Sequence, residues 1–188
     1  PSGGDTTAMV PTPHPAFALG SSIFLEMWVQ TTNPSGVSSA SLDLLFNSSL
    51  ATAVSVTHSS VLSTLTHSSI NNSSGFVDDL SGSHLGPCTD AIAVAPNWAR
   101  VAVVEFGADA EGMLLIQGAA TGSQIYGTAI CGAGDVDPAN IIYDGVTISI
   151  DEAAIPAASA WGLFVMFLCI LVAGTLVLPR IRDAQPHR

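Results

Sequence analysis

Ile23-Phe24-Leu25-Glu26-Met27-Trp28-Val29-Gln30 decides the fold class by its alternation. One parity, Ile23, Leu25, Met27 and Val29, is wholly apolar; the other carries Glu26 and Gln30 beside Phe24 and Trp28. A period of two belongs to a strand, because successive side chains leave a strand on opposite faces. Residues 39–46 repeat the scheme, with Leu42, Leu44 and Phe46 expected inward and Ser41 outward. Short β-branched or apolar runs continue it at 51–57, 61–66, 76–80, 90–95, 99–106, 113–117, 125–130 and 146–150. Turn signals separate them, among them Asn33-Pro34-Ser35-Gly36, Asn71-Asn72-Ser73-Ser74-Gly75, Ala95-Pro96-Asn97, Glu111-Gly112 and Thr121-Gly122. Strands this short and this closely spaced, with no helical period between them, indicate a sandwich or barrel. Their number is too large for one open sheet, so the expectation is all-β, two sheets packed face to face.

Outward from this block the composition changes twice. Residues 1–20 are rich in proline and lack periodicity, and they read as an extended N-terminal arm ahead of a sandwich over 21–151. After a linker at 152–159, residues 160–178 carry no charge at all. Nineteen residues at about 1.5 Å each span roughly 28 Å, close to the hydrocarbon thickness of a bilayer. That stretch is expected to be one transmembrane helix, with Trp161 at the outer interface and a cytoplasmic tail at 179–188. The chain has four basic residues, all arginine, and Arg180, Arg182 and Arg188 follow the apolar run. Cationic flanks stay on the cytoplasmic side, which places the N-terminal domain outside the cytoplasm. The opening at Pro1, without methionine or apolar leader, fits a secretory signal already removed.

A formal net charge of −11 excludes a nucleic-acid reader, since phosphate binding is driven by Lys and Arg. It also argues against docking of the domain itself on anionic lipid. Of three cysteines, Cys169 lies in the apolar run as a packing residue, leaving Cys88 and Cys131 as the pair in the exported domain. Both stand in Gly/Pro-rich turns, and an oxidising compartment allows them to form a disulfide worth about 3–4 kcal/mol in chain entropy.

No catalytic constellation emerges, so the expectation is no enzyme, no cofactor and no small-molecule substrate. His14, His58, His67, His84 and His187 show no metal-ligand spacing. His58-Ser59 and His67-Ser68 are sequence neighbours that point apart on a strand, so these histidines are expected on a solvated surface. Asp78-Asp79 and Asp135-Val136-Asp137-Pro138-Ala139-Asn140 are the best acidic candidates. The second lacks the Gly and terminal Glu of a calcium loop, and a turn stiffened by its Asp side chains is the favoured reading, with no metal site. Asn47, Asn71 and Asn72 open acceptor sequons read here as polar turns. Cys131-Gly132-Ala133-Gly134 opens no helix and is no phosphate loop.

The run from Val37 to Leu50 resembles the early strand pair of cohesin domains, in which small and apolar residues alternate before a turn. Trp98 to Phe106 followed by Asp109-Ala110-Glu111-Gly112 is similar to a later cohesin segment, and Val146-Thr147-Ile148-Ser149-Ile150 resembles the closing strand. The resemblance covers roughly residues 22–150 and implies a jelly-roll-like sandwich. Ile155-Pro156 through Trp161-Gly162, the apolar run and the arginine-bearing end resemble the PEP-CTERM and IPTL-CTERM sorting signals of Gram-negative envelope proteins. Together they imply a non-catalytic binding or scaffolding protein in the cytoplasmic membrane of a bacterium, its partners being the membrane and other envelope or membrane proteins. Phe24, Trp28 and Trp98 are the candidate contact aromatics. The alternative is an accessory subunit of a photosynthetic or respiratory complex, where Gly162, Ala173 and Gly174 would let a second helix approach closely.

Overall fold

The alternating runs assemble into two facing sheets in the computed structural model, which describes residues 4–13, 15–121 and 127–152. The chain falls into two units, Pro1–Ala153 and Ala154–Arg188, and every described residue lies in the first. The expected helix and tail, with Trp161, Gly162, Ala173, Gly174, Arg180 and Arg182, lie outside the described residues. Among the described residues no helix is long and apolar enough to cross a membrane.

In chain order the strands are β1 (Thr6–Thr7), β2 (Ala16–Ala18), β3 (Ser22–Val29), β4 (Val37–Phe46), β5 (Ala51–His58), β6 (Thr64–Asn71), β7 (Phe76–Ser83), β8 (Trp98–Ala108), β9 (Gly112–Ala119), β10 (Ala129–Ile130), β11 (Gly134–Asp135) and β12 (Gly145–Asp151). β8 is the centre of the four-stranded sheet: β3 lines one edge, and β5 and β1 share the other. The eight-stranded sheet runs β6-β7-β4-β9-β12-β2, with β10 and β11 continuing from the first residues of β4. All pairings between these strands are antiparallel except β12 with β2.

The core lies between the sheets. Ile23, Ala53, Val104 and Phe106 from one meet Leu44, Phe46, Val77, Leu80, Leu114, Ile116, Ile148 and Ile150 from the other. The Phe46 and Phe106 rings meet edge to face with centroids 5.1 Å apart, the arrangement their quadrupoles favour. The apolar parity of β3 faces this core as expected, with Ile23 buried and Leu25 and Met27 packed against it. On β8 the inward parity changes midway: Ala99 and Val101 face in, then Ala102, Val104 and Phe106. A register shift opposite Met27 and Trp28 gives the reason, since a bulge admits one extra residue and flips the alternation beyond it.

Three expectations need correction. Residues 90–95 form no strand; after a 3-10 turn at Cys88–Asp90 they fold tightly against 31–37, with Val37 N–H donating to the Ile92 carbonyl at 2.8 Å. Gly36, at φ +78°, allows this approach, because a Cβ there would lie 2.6 Å from the Ile92 nitrogen. Their apolar character serves a second small core of Val37, Ala40, Leu62, Ala93, Ala99 and Val101. The strand expected at 61–66 begins later, at Thr64, because Ser59 turns the chain by accepting the Val61 N–H. Ser41 is buried rather than outward, since the Thr128 hydroxyl lies over it and accepts its N–H at 3.1 Å.

Cys88 and Cys131 are joined by a disulfide, with Cα atoms 5.4 Å apart. It ties the turn after β7 to the end of β10, two irregular segments with few ladder bonds of their own.

Candidate functional site

The larger sheet presents an unusual outer face. Because Leu44, Phe46, Leu114 and Ile116 point into the core, strand alternation drives Leu45, Met113 and Leu115 to the other side. These are 46%, 65% and 51% exposed, apolar where an outward parity is normally polar. Leu45 lies between Phe76 of β7 and Gln117 of β9, while Leu115 and Met113 stand beside Thr147 and Ser149 of β12. Diagonal neighbours on such a face are within reach of long side chains, so the apolar residues form one patch across β7, β4 and β9.

Carboxylates border the patch. Asp43 stands two residues before Leu45 on β4, and its carboxylate lies within 4.8 Å of those of Asp78 and Asp79. The pairing of β4 with β7 shifts register here, and Asp79 takes a left-handed φ of 50°. Asp43 braces that bulge by accepting the Asp79 N–H at 2.9 Å. Burial, and then the Asp43 charge, pushes the Tyr143 phenol up from its ordinary value. The group offers oxygen ligands, but its evident work is to hold the bulge and to set negative charge at the rim of an apolar surface.

Sequence reasoning selected Asp78-Asp79 but not their partner Asp43, nor Leu45, Met113 and Leu115. One signal was present: Leu44-Leu45-Phe46 and Met113-Leu114-Leu115-Ile116 are apolar on both parities, more than a strand with one buried face requires. The aromatics chosen instead all lie on the smaller sheet. Phe24 is open to solvent at 48%. Trp28 is only half-buried, with the Arg100 guanidinium 5.8 Å from its ring centre, and Trp98 opens β8 opposite Thr7 of β1. Asp137 caps the 3-10 turn Pro138–Asn140 by accepting the Ala139 N–H at 2.9 Å, and Asp135 lies exposed on β11.

Arg100 is the only basic residue before the apolar run, and it is paired twice. Its guanidinium donates to Glu26 at 2.8 Å and to Asp5. Burial works against the Asp5 charge, yet bonds from the Ser60 hydroxyl and main chain and from Arg100 outweigh it and hold the carboxyl below its ordinary range. The arm is thereby latched onto β8. The histidines depart from the solvated surface expected of them: His58 and His67 are half-buried, and the His58 Nε2 lies 3.4 Å from the Ser68 hydroxyl.

No family model and no curated relative matches the chain by sequence. Its structure, however, is similar to solved cohesins. A type I cohesin of OlpA from Clostridium thermocellum, solved in a complex with a dockerin, has a TM-score of 0.55 at 12% identity, over 73% of this chain and 94% of that one. CaCohA2 from Clostridium acetobutylicum has a TM-score of 0.53 at 13% identity, over 76% and 88%. The third cohesin of ScaC from Acetivibrio cellulolyticus, in complex with the ScaB dockerin, has a TM-score of 0.52 at 16% identity, over 74% and 95%. At such identities the likeness speaks for architecture alone, and that architecture is the cohesin sandwich.

Proposed function

We propose that this chain is a non-catalytic protein-binding or scaffolding module of a bacterial envelope, tethered by its C-terminal apolar run and docking a partner on the outer face of the larger sheet. The observation that carries the reading is the patch of Leu45, Met113 and Leu115 beside the carboxylates of Asp43 and Asp78. Exposed apolar area rimmed by polar groups is the mark of a protein interaction surface. The only basic residue of the domain is engaged by Asp5 and Glu26, so the charge on offer is negative, and it suits a partner with Lys or Arg around an apolar contact. Two of the similar cohesins were solved bound to dockerins, which agrees with a protein partner.

The anchor and its orientation rest on sequence: an uncharged run at 160–178, arginines after it, and fifteen acidic residues of which only Asp183 follows it. The test is gentle purification from the native membrane with paired variants. Leu45→Asp and Leu115→Asp should lose the co-purifying partner, while Phe24→Asp on the other sheet keeps it. Equal retention by all three would remove the docking face. Protease added to cells stripped of their outer layer should digest the sandwich; its protection would reverse the orientation.

A further inference from the structure

Where the free edges of the two sheets meet, β5 closes one and β6 the other, and the strands face each other across a seam. The inward parity of β5 runs Ala51, Ala53, Val56, a bulge at Val54 having shifted it, and ends on His58. His67 approaches from β6, opposite Ser81 of β7. Both rings have their Nδ1 shielded from solvent without a hydrogen-bond partner; the His58 Nε2 lies 3.4 Å from the Ser68 hydroxyl, and the ring also meets the Ser81 main chain. Two imidazoles thus border one seam at the margin of the core, near enough for His67 to act on His58.

The Ser81 main chain favours positive charge on His58, but the carboxylates of the neighbouring described strands are engaged elsewhere. β5 and β6 carry no other ionisable residue. On β7, Asp78 and Asp79 belong to the cluster with Asp43. On β8, Glu105 accepts from the Ser22 and Ser55 hydroxyls, and Arg100 is held by Asp5 and Glu26. Asp5, bound at Ser60 two residues beyond His58, is itself engaged by Arg100. Burial, and then the neighbouring His67, lowers the His58 pKa below its ordinary 6.5, with the Ser81 main chain working to a lesser extent the other way.

We propose that His58, set in the seam beside His67, is a proton-operated catch between the two sheets, closing β6 against β5 when neutral and releasing it when protonated. Protonation of His58 puts a cation into a half-buried seam beside a second imidazole, whereas a released strand leaves the ring in water. Release then takes up a proton, and between the folded pKa of His58 and its ordinary value the opening equilibrium rises by up to about tenfold per pH unit. The catch stands whether or not the outer face docks a partner.

Amide exchange of the full chain in detergent, from pH 7.5 to 5 and corrected for the intrinsic rate, reads that equilibrium strand by strand. Residues 64–71 should open progressively more below pH 6.5 while β8 keeps its protection. His58→Gln should abolish the slope, and His67→Gln, which removes the neighbour acting on His58, should reduce it. An NMR titration of the His58 ring in the unaltered protein should give a midpoint below 6.5 that coincides with the opening. A flat profile, a slope unchanged in His58→Gln, or a His58 midpoint at or above 6.5 would overturn the proposal.

Discussion

Replacing Arg100 by Met tests how one guanidinium can serve two carboxylates. The side chains of Arg100, Asp5 and Glu26 are only 14%, 14% and 11% exposed, so the charges are largely withdrawn from water. Removing one member of a buried ion pair costs about 3–5 kcal/mol, most of it from the charge left behind. Asp5 keeps its bonds from Ser60, which favours the lower end; the lost contact with Trp28 adds about 0.5–1 kcal/mol. A loss of about 3–4 kcal/mol in a domain of this size lowers Tm by roughly 6–16 °C. Thermal unfolding of the full chain in detergent, followed by circular dichroism, would read it.

The pH dependence sharpens the test. In the unaltered protein Asp5 has a folded pKa below the ordinary 3.8, so its stabilisation is present above 3.8 and is lost as the pH falls through the folded value. In Arg100→Met the Asp5 carboxylate stays buried without its cation, and its folded pKa rises. The folded variant then binds more protons than the unfolded chain and gains stability as the pH falls. The gap between the two proteins should therefore narrow from pH 7 towards pH 4. A Tm within about 2 °C of the original, or a gap independent of pH, would refute the reasoning.

Phe106→Ala should cost about 3–5 kcal/mol, since the ring is fully buried against Phe46, and denaturant unfolding would measure it. Gly82→Ala should cost about 1–3 kcal/mol by the same measurement, because the new Cβ would lie 2.3 Å from the Leu62 carbonyl oxygen, which belongs to the backbone. Converting Cys88 and Cys131 together to Ala should remove about 3–4 kcal/mol, and reduction of the original protein should match it. Reduction with no effect on the unfolding midpoint would show that the loop closure contributes nothing.

Strand identity was legible wherever a single face is buried. β3, β9 and β12 read correctly because nothing interrupts their alternation against the core. Bulges were not legible. The double inward step at Val101-Ala102 and the shift at Asp43 depend on how two strands align, a property of the pair and not of either sequence. The apolar run at 90–95 misled for a related reason: burial without a ladder leaves the same composition as a strand. The outer face was half legible, since excess apolar residues in β4 and β9 were visible while the face shared by Leu45, Leu115 and Met113 required the register. The histidines were read by their sequence neighbours, whereas the Ser68 that meets His58 comes from another strand ten residues away.

The parallel contact of β2 with β12 has a mechanical consequence. Ser149, Ile150 and Asp151 lie beside Ala16, Phe17 and Ala18, secured by Ser149 N–H to the Pro15 carbonyl at 2.9 Å and Leu19 N–H to the Asp151 carbonyl at 2.7 Å. A pull outward along the chain from Asp151, opposed by a pull on the arm before Ala16, slides these strands lengthwise past each other. Every bond of the contact then carries tension at once and must break together, whereas an antiparallel pair opened from its end would unzip one bond at a time. β2 and β12 therefore act as a shear clamp, and stretching single molecules from the two sides should show one high force peak before the core is exposed.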